Sequence, residues 1–404
     1  MTKFHLRLSA SIGGPFYRER AAVMNFELTD EQRMVRDAVR NFAQGEIAPR
    51  AREIDESGQF PWDIIRTMGR LGFLGLPFPE EYGGAGGDYL SFVLAIEELA
   101  AVSGTVALIT NAHISLGASP IYHFGTEAQK QTWLAPLARG EGLGAFALTE
   151  PGSGSDSAAM KTTATRQGKA WRLNGQKMWI SNAAVARSLV VAAKTDPAAG
   201  HSGISNFIVP ADAPGLTIGK DEPKMGMHGA VTNQVYFEDC RIPEDALLGH
   251  LGQGFRQFMT ILDVGRISVA SMALGLARAA YEQSMAYAKE RYAFGRPIGE
   301  FQAVQFKLAD MATDMEAARM LILKAVYMKE RGERITGIAA MAKVFASEAA
   351  ERACSQAIQI HGGMGYSRDV PVERFYRDTR LTLLGDGTSD IQRLIIARQL
   401  MRSR

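Results

Sequence analysis

The hydrophobic pattern changes period twice, and this constrains the fold more than any other feature of the chain. Over residues 25–143 apolar side chains recur with helical spacing. Over 144–250 short alternating runs are broken by turn residues, and from 251 to 404 helical spacing returns. Helices bury an apolar stripe against other helices, and a β unit needs a covered face. The expected fold is therefore mainly α with a middle β domain: an N-terminal helical domain (25–143), a middle β domain (144–250) and a C-terminal helical domain (251–404). At 404 residues the chain exceeds what one core usually serves.

Within the first block, Thr29 and Gln32 have capping-box spacing, with Met34, Val35 and Val39 on one helix face, and residues 90–102 form a second strong helix. In the middle block, Asn174-Gly175 between the runs 171–173 and 176–180 predicts a β-hairpin turn. Residues 188–193, 204–209 and 234–237 read as further strands. The C-terminal block predicts helices over 255–291, 302–331 and 338–360, and a last one opening at Ser389, where Gln392 again gives capping-box spacing. Residues 1–24 hold Lys3, Arg7, Arg18 and Arg20 with Glu19 as the sole acid. They read as a leader, with a disordered segment behind an upstream start favoured over a short transit peptide.

The formal net charge is only +2 and the signs are mixed along the chain, which gives no electrostatic case for nucleic acid. Cys240 and Cys354 are far apart and the seven histidines are scattered, so reduced thiols and no metal centre are expected. No apolar stretch reads as long enough to span a bilayer.

Gly83-Gly84-Ala85-Gly86-Gly87 follows no clear strand and lacks a Lys-Ser/Thr ending, so it reads as a loop between helices. The segment Phe146-Ala147-Leu148-Thr149-Glu150-Pro151-Gly152-Ser153-Gly154-Ser155-Asp156 is more telling. An apolar run enters a loop of small residues and hydroxyls, where backbone N–H groups can approach a planar or anionic ligand. In Lys177-Met178-Trp179-Ile180-Ser181-Asn182 the indole and hydroxyl at i and i+2 fall on one strand face; alone, Trp179 reads as a core residue. Near the C-terminus, Asp386 sits between Gly385 and Gly387, just before a helix whose positive end favours an ionised carboxylate. That suits a general base, although alone it reads as a turn aspartate.

Together these segments resemble the acyl-CoA dehydrogenase family of flavoproteins. The resemblance runs from Met24 to the end. It includes Pro79-Glu80-Glu81-Tyr82-Gly83-Gly84, the Thr149–Asp156 loop, Asn174 to Asn182 and Phe237-Glu238-Asp239-Cys240-Arg241-Ile242-Pro243. It continues through Glu290-Arg291 with Phe294-Gly295, Phe301-Gln302, Gln359 with Gly362-Gly363, and Gly387-Thr388-Ser389. It implies FAD between the β domain and a C-terminal four-helix bundle, lined by Phe146, Leu148, Thr149, Ser155, Trp179 and Ser181, with Ser181 near flavin N5. It implies that Arg291, Phe294, Gln302, Gln359 and Gly363 of a neighbouring subunit hold the adenosine and pyrophosphate end, so the chain is at least a dimer and usually a tetramer. Thr388 and Asp390 approach the cofactor, while Asp263, Arg266, Ser155 and Gly387 fall on the acyl-CoA side. Asp263 and Arg266 also read as an i, i+3 surface ion pair.

The reaction implied is α,β-dehydrogenation of an acyl-CoA thioester, with Asp386 as α-proton base, hydride transfer to flavin N5, and electrons passed to an electron-transfer flavoprotein. The family base in this loop is usually glutamate. Asp386 is shorter by about one C–C bond (~1.5 Å), and Gly265 stands where some relatives carry the base on a helix. Family members acting on alicyclic acyl-CoAs, and nitroalkane oxidases, use aspartate. A short, branched or alicyclic acyl group is therefore one expectation, with Gly265 and Gly385 leaving room for it. A nitroalkane-oxidase-like flavin oxidase and a non-catalytic flavin- or acyl-CoA-binding scaffold are the alternatives. A bacterial cytoplasmic location is favoured over the mitochondrial matrix. His228 stands where an arginine is common, with no consequence expected.

Overall fold

The computed structural model of the chain describes residues 27–402; the expected leader, residues 1–24, lies outside them. Helices α1 (Asp30–Phe42), α2 (Ala51–Ser57), α3 (Trp62–Arg70), α4 (Tyr89–Ala100), α5 (Gly104–Asn111), α6 (Ser119–Phe124), α7 (Glu127–Gln129) and α8 (Ala135–Ala138) come first. Strands β1 (Leu143–Ala147), β2 (Thr163–Gln167), β3 (Ala170–Ser181), β4 (Ala186–Lys194), β5 (Ile204–Pro210), β6 (Leu216–Asp221), β7 (Thr232–Pro243) and β8 (Leu247–Leu248) form one sheet. Then come α9 (Gly254–Glu290), a small hairpin of β9 (Tyr292–Ala293) and β10 (Arg296–Pro297), α10 (Gln302–Glu330), α11 (Thr336–His361), α12 (Val372–Thr382) and α13 (Ser389–Arg402). The helix α12 was not foreseen in the sequence.

Helix α1 starts as its sequence predicts. Thr29 Oγ1 accepts from the Gln32 amide at 3.2 Å and the Gln32 side chain accepts from Thr29 N at 2.9 Å. Helix α4 is buried nearly all round and carries Glu97 and Glu98 into the interior. Buried carboxylates need partners. Glu98 takes Arg40 of α1 (2.8 Å) and Arg278 of α9 (2.7 Å), and Glu97 takes Arg319 of α10 (2.9 Å). Burial works against the Glu98 charge, but Arg40 and Arg278 hold its carboxyl below the usual range.

The sheet runs β6-β7-β3-β2-β4-β5-β8, with β1 parallel to β4. The Asn-Gly hairpin is a correction. Residues 170–181 form one continuous strand, and Asn174-Gly175 lies at a register shift against β7. Gly175 has φ +144°, and a Cβ there would stand 2.5 Å from Thr162 Oγ1, so glycine serves a bulge and a close approach. The actual hairpin turn is Gly168-Lys169, closing Gln167 against Ala170, with Gly168 at φ +61°.

Helix α9 is long and apolar enough by composition to cross a bilayer, contrary to the sequence expectation. Here it is the central helix of the bundle, packed on α4, α10 and α11, with 72% of its apolar window buried. Its small residues allow the approach: a Cβ on Gly275 would lie 2.3 Å from the Glu97 carbonyl of α4.

His228 gains a role that its sequence position did not reveal. Its Nδ1 is 3.1 Å from Asp55 Oδ1, its Nε2 2.9 Å from the Lys224 carbonyl, and its own carbonyl accepts from Thr105 Oγ1 at 2.7 Å. Asp55 is also held bidentately by Arg377 of α12 at 2.6 and 3.0 Å. A single aspartate on α2 thus joins all three regions of the chain.

Candidate active site

Asp386 lies in the turn between α12 and α13, with φ +53°, followed by Gly387 at φ +94°. A left-handed non-glycine residue is held by its surroundings. Here the turn's carbonyls are clamped: Gln392 Nε2 donates to Asp386 O at 3.1 Å and Gly387 O at 2.8 Å, and Lys343 Nζ of α11 donates to Gly387 O at 2.8 Å. The capping hydroxyl of α13 belongs to Thr388, which accepts from Ile391 N at 3.3 Å. This corrects the expected Ser389–Gln392 box, because the Gln392 amide is spent on the turn. Ser389 Oγ is left buried without a partner.

The residue Asp386 is partly exposed, yet its Oδ2 is fully buried and unpartnered. Burial pushes the carboxyl above its ordinary value, opposed by Lys343 and Arg266. The space expected beside Gly265 is taken by this carboxylate: a Cβ on Gly265 would lie 2.8 Å from Oδ2. At Gly385 the same construction meets only Leu381 O at 3.5 Å. One turn of α9 supplies the facing groups. Arg266 is buried and paired with Asp263, which also accepts from Thr336 Oγ1 at 2.6 Å. Arg266 Nε is buried and unpartnered. Tyr89 Oη of α4 donates to Val264 O at 2.8 Å, and burial raises its phenol well above the usual value.

The second group of expected residues gathers where β1 leaves the sheet. Phe146 is 9% exposed at the end of β1, with Leu148 and Thr149 half-buried beyond it. Met178 N donates to Thr149 O at 2.8 Å, which sets this loop beside Trp179. A buried ion pair fixes the arrangement. Lys177 Nζ is 2.9 Å from Glu150 Oε1 and donates to Leu148 O at 3.0 Å, while Glu150 also accepts from Thr162 N at 2.9 Å. Burial pulls the Lys177 ammonium down to about 8 although Glu150 opposes this.

Trp179 is 51% exposed with φ +62°, at a register shift in β3. Its direction is therefore set by a bulge, and simple strand alternation with Ser181 does not apply. Ser181 ends β3, half-buried, and Ser155 is exposed. A large ring left uncovered at a strained backbone, in a strand bonded to the Thr149 loop in which Gly152 and Gly154 have open space around them, fits a flat aromatic group such as a flavin.

The third group lies elsewhere. Arg291, Phe294, Gln302, Gln359 and Gly363 are all exposed. Phe294, at the tip of the β9–β10 hairpin, is 96% exposed with φ +52°. Tyr287 stacks on His361 at 4.3 Å, which brings the C-terminal ends of α9 and α11, and hence Arg291 and Gly363, to one end of the bundle. Among the described residues no hydrogen bond or ring contact joins this group to Trp179. Thr388 is half-buried and Asp390 exposed at the start of α13.

Family models for the N-terminal, middle and C-terminal domains of acyl-CoA dehydrogenase match residues 29–141, 145–240 and 252–401. The chain belongs to the acyl-CoA dehydrogenase family. It is 53% identical over 380 residues to a probable acyl-CoA dehydrogenase of Bacillus subtilis, YngJ, covering 94% of this chain and all of that protein. It is 48% identical over 377 residues to the human mitochondrial short-chain specific acyl-CoA dehydrogenase, covering 93% and 92%. Among solved structures, the butyryl-CoA dehydrogenase of Megasphaera elsdenii superposes with a TM-score of 0.92 at 43% identity, covering 94% and all of that chain. A chain from a study of the electron-transferring flavoprotein of Acidaminococcus fermentans gives 0.93 at 46%, with the same coverage. Acyl-CoA dehydrogenases are FAD-dependent flavoprotein oxidoreductases of fatty-acid metabolism.

Several residues that shape this dehydrogenase's site escaped sequence reasoning. Lys343 and Lys177 look like ordinary surface lysines by type, and only their apolar neighbours in sequence hint at burial. Tyr89 carries no signal at all. Gln392 carries a capping signal in the sequence, but its side chain bonds the Asp386 and Gly387 carbonyls instead.

Proposed function

We propose that this chain catalyses α,β-dehydrogenation of a short acyl-CoA thioester, with Asp386 as the base that removes the α proton. The observation that carries this reading is the Asp386 Oδ2 atom, a buried carboxylate oxygen without a partner, on a turn clamped from two helices. The Asp386 N–H also has no acceptor among the described residues, which suits it to donate to the thioester carbonyl and stabilise enolate-like charge as the α proton leaves. Bound FAD supplies the acceptor for the β hydrogen. Phe146, Leu148, Thr149, Trp179 and Ser181 would hold its ring and Thr388 and Asp390 its approach to α13. Arg291, Phe294, Gln302, Gln359 and Gly363 would serve the cofactor of a neighbouring subunit in a homo-oligomer.

The shorter reach of aspartate is matched by Gly265, because the carboxylate occupies the volume that any side chain there would take. A small cavity of about 90 Å³ lies beside Val264, the neighbour of Gly265, walled by Tyr89, Phe92, Ile114 and Ile261 with Ser115, His123 and Lys329; an acyl group entering it would have to be short. The likeness to short-chain and butyryl-CoA enzymes points the same way. Electrons would pass to an electron-transfer flavoprotein.

The test is anaerobic titration of the purified flavoprotein with straight, branched and cyclic acyl-CoAs, following bleaching of the flavin. Bleaching by short straight chains is the expected result. Asp386→Asn should slow it at least about a hundredfold while leaving the flavin bound. Bleaching by no acyl-CoA, with dithionite still reducing the flavin, would overturn the reading. Oxygen consumption without an added carrier would favour an oxidase.

A further inference from the structure

The Asp386 carboxylate has a neighbour that the reaction above does not use. Lys343 is fully buried on α11, where an ammonium is costly unless it is compensated. Among the described residues the one hydrogen bond of its ammonium is to the Gly387 carbonyl, at 2.8 Å. An ammonium carries three donors, and no carboxylate lies within ion-pair distance of this one among the described residues.

Four charged groups meet around the turn: Asp386, Lys343 from α11, and Arg266 and Asp263 from α9. Asp263 is already committed to Arg266 and Thr336. Arg266 also acts on Asp386 but is shared with Asp263, which leaves Lys343 as the main cation facing Asp386 with no carboxylate of its own. The remaining titratable groups nearby are Tyr89 of α4, whose hydroxyl is bound to Val264 O, and Glu348 of α11, which pairs with Arg393 at 2.7 Å. Neither is placed to replace the lysine.

We propose that Lys343 is the positioning residue of Asp386, acting in two ways at once: it clamps the 386–387 turn through the Gly387 carbonyl and supplies the buried counter-charge of the carboxylate. The proposal rests on the reading of Asp386 as the base. Its electrostatic half agrees with the mutual influence of the two groups. Burial pulls the Lys343 ammonium down to about 8 against the pull of Asp386, and Lys343 is the first of the groups that oppose the rise at Asp386. Losing the cation should leave the carboxylate protonated over a wider pH range, so that the acidic limb of the rate profile moves upward.

Two variants separate the clamp from the charge. Lys343→Gln keeps a donor for the Gly387 carbonyl and removes the charge, whereas Lys343→Arg keeps the charge. The measurement is the rate of flavin bleaching by butyryl-CoA against pH, in the holoenzyme. The expected result is an acidic midpoint raised by about one pH unit or more in Lys343→Gln, a tenfold change in proton affinity, and a midpoint near that of the parent in Lys343→Arg. A Lys343→Gln midpoint equal to the parent's would overturn the proposal, because a purely structural clamp lowers the rate at every pH without moving the midpoint.

A thermal-unfolding cycle with Asp386→Asn needs no substrate. Removing the carboxylate should recover part of the stability lost in Lys343→Gln, and strict additivity would also overturn the proposal. Failure of the base reading itself shows separately, as Asp386→Asn bleaching at the parent rate.

Discussion

Asp386 and Gly265 form a matched pair. A methyl group on Gly265 would stand 2.8 Å from Oδ2 and push the carboxylate off its position. Gly265→Ala should therefore cost about tenfold to a hundredfold in the bleaching rate. It should not lower the melting temperature, since alanine improves the interior of a helix by about 1 kcal/mol. An unchanged rate would place the carboxylate's working position elsewhere. A second aspartate makes a pH prediction. Asp378 is 1% exposed and its main partner is the Met227 amide; burial raises its carboxyl from 3.8 to about 6. The folded state then binds more protons than the unfolded state between those values, so this residue's contribution to stability is full below 3.8 and is lost as pH rises through about 6. Asp378→Asn keeps an acceptor for the Met227 amide. It should raise stability near neutral pH by roughly 1–3 kcal/mol and flatten that stretch of the pH–stability curve, measured by denaturant titration.

At the scale of elements, periodicity was the legible part. The helices at 30, 89, 254, 302, 336 and 389 begin within a few residues of where apolar spacing and capping residues put them. Such spacing reports which face must be buried, and this is decided locally. Backbone specials were not legible, because their cause is non-local. Asn174-Gly175 has the composition of a hairpin turn, but Thr162 on another segment crowds Gly175 and makes it a bulge within one strand. Ser389 has the right type for a cap, but Lys343 and Gln392 organise the preceding turn so that Thr388 takes the role. In the site, the family motifs marked Asp386, Trp179 and the Thr149 loop. The groups that hold them, Lys343 and the Lys177–Glu150 pair, depend on burial that no local pattern expresses. Gly175→Ala tests the bulge: a clash with Thr162 at a left-handed φ should cost roughly 1–3 kcal/mol, visible as a lower denaturation midpoint.

Across the whole molecule, charge ties together what the pattern of periods divides. Arg40, Arg278 and Arg319 come from three different helices onto Glu97 and Glu98 of α4, and Arg377 and His228, from the C-terminal and middle regions, both reach Asp55. Breaking one partner of such a buried set leaves an uncompensated charge, typically costing about 3–5 kcal/mol. Scanning calorimetry of the holoprotein should accordingly show one transition, with calorimetric and van't Hoff enthalpies in agreement for the melting unit; resolved domain transitions would contradict this. The Glu97–Glu98 set joins the first and third matched segments and Asp55 joins all three, so these segments are not separate units of assembly. A chain cut between α8 and β1, or before α9, would strand arginines on one piece and their acids on the other. Grafting a segment from a relative would succeed only if both halves of each charge set travelled together.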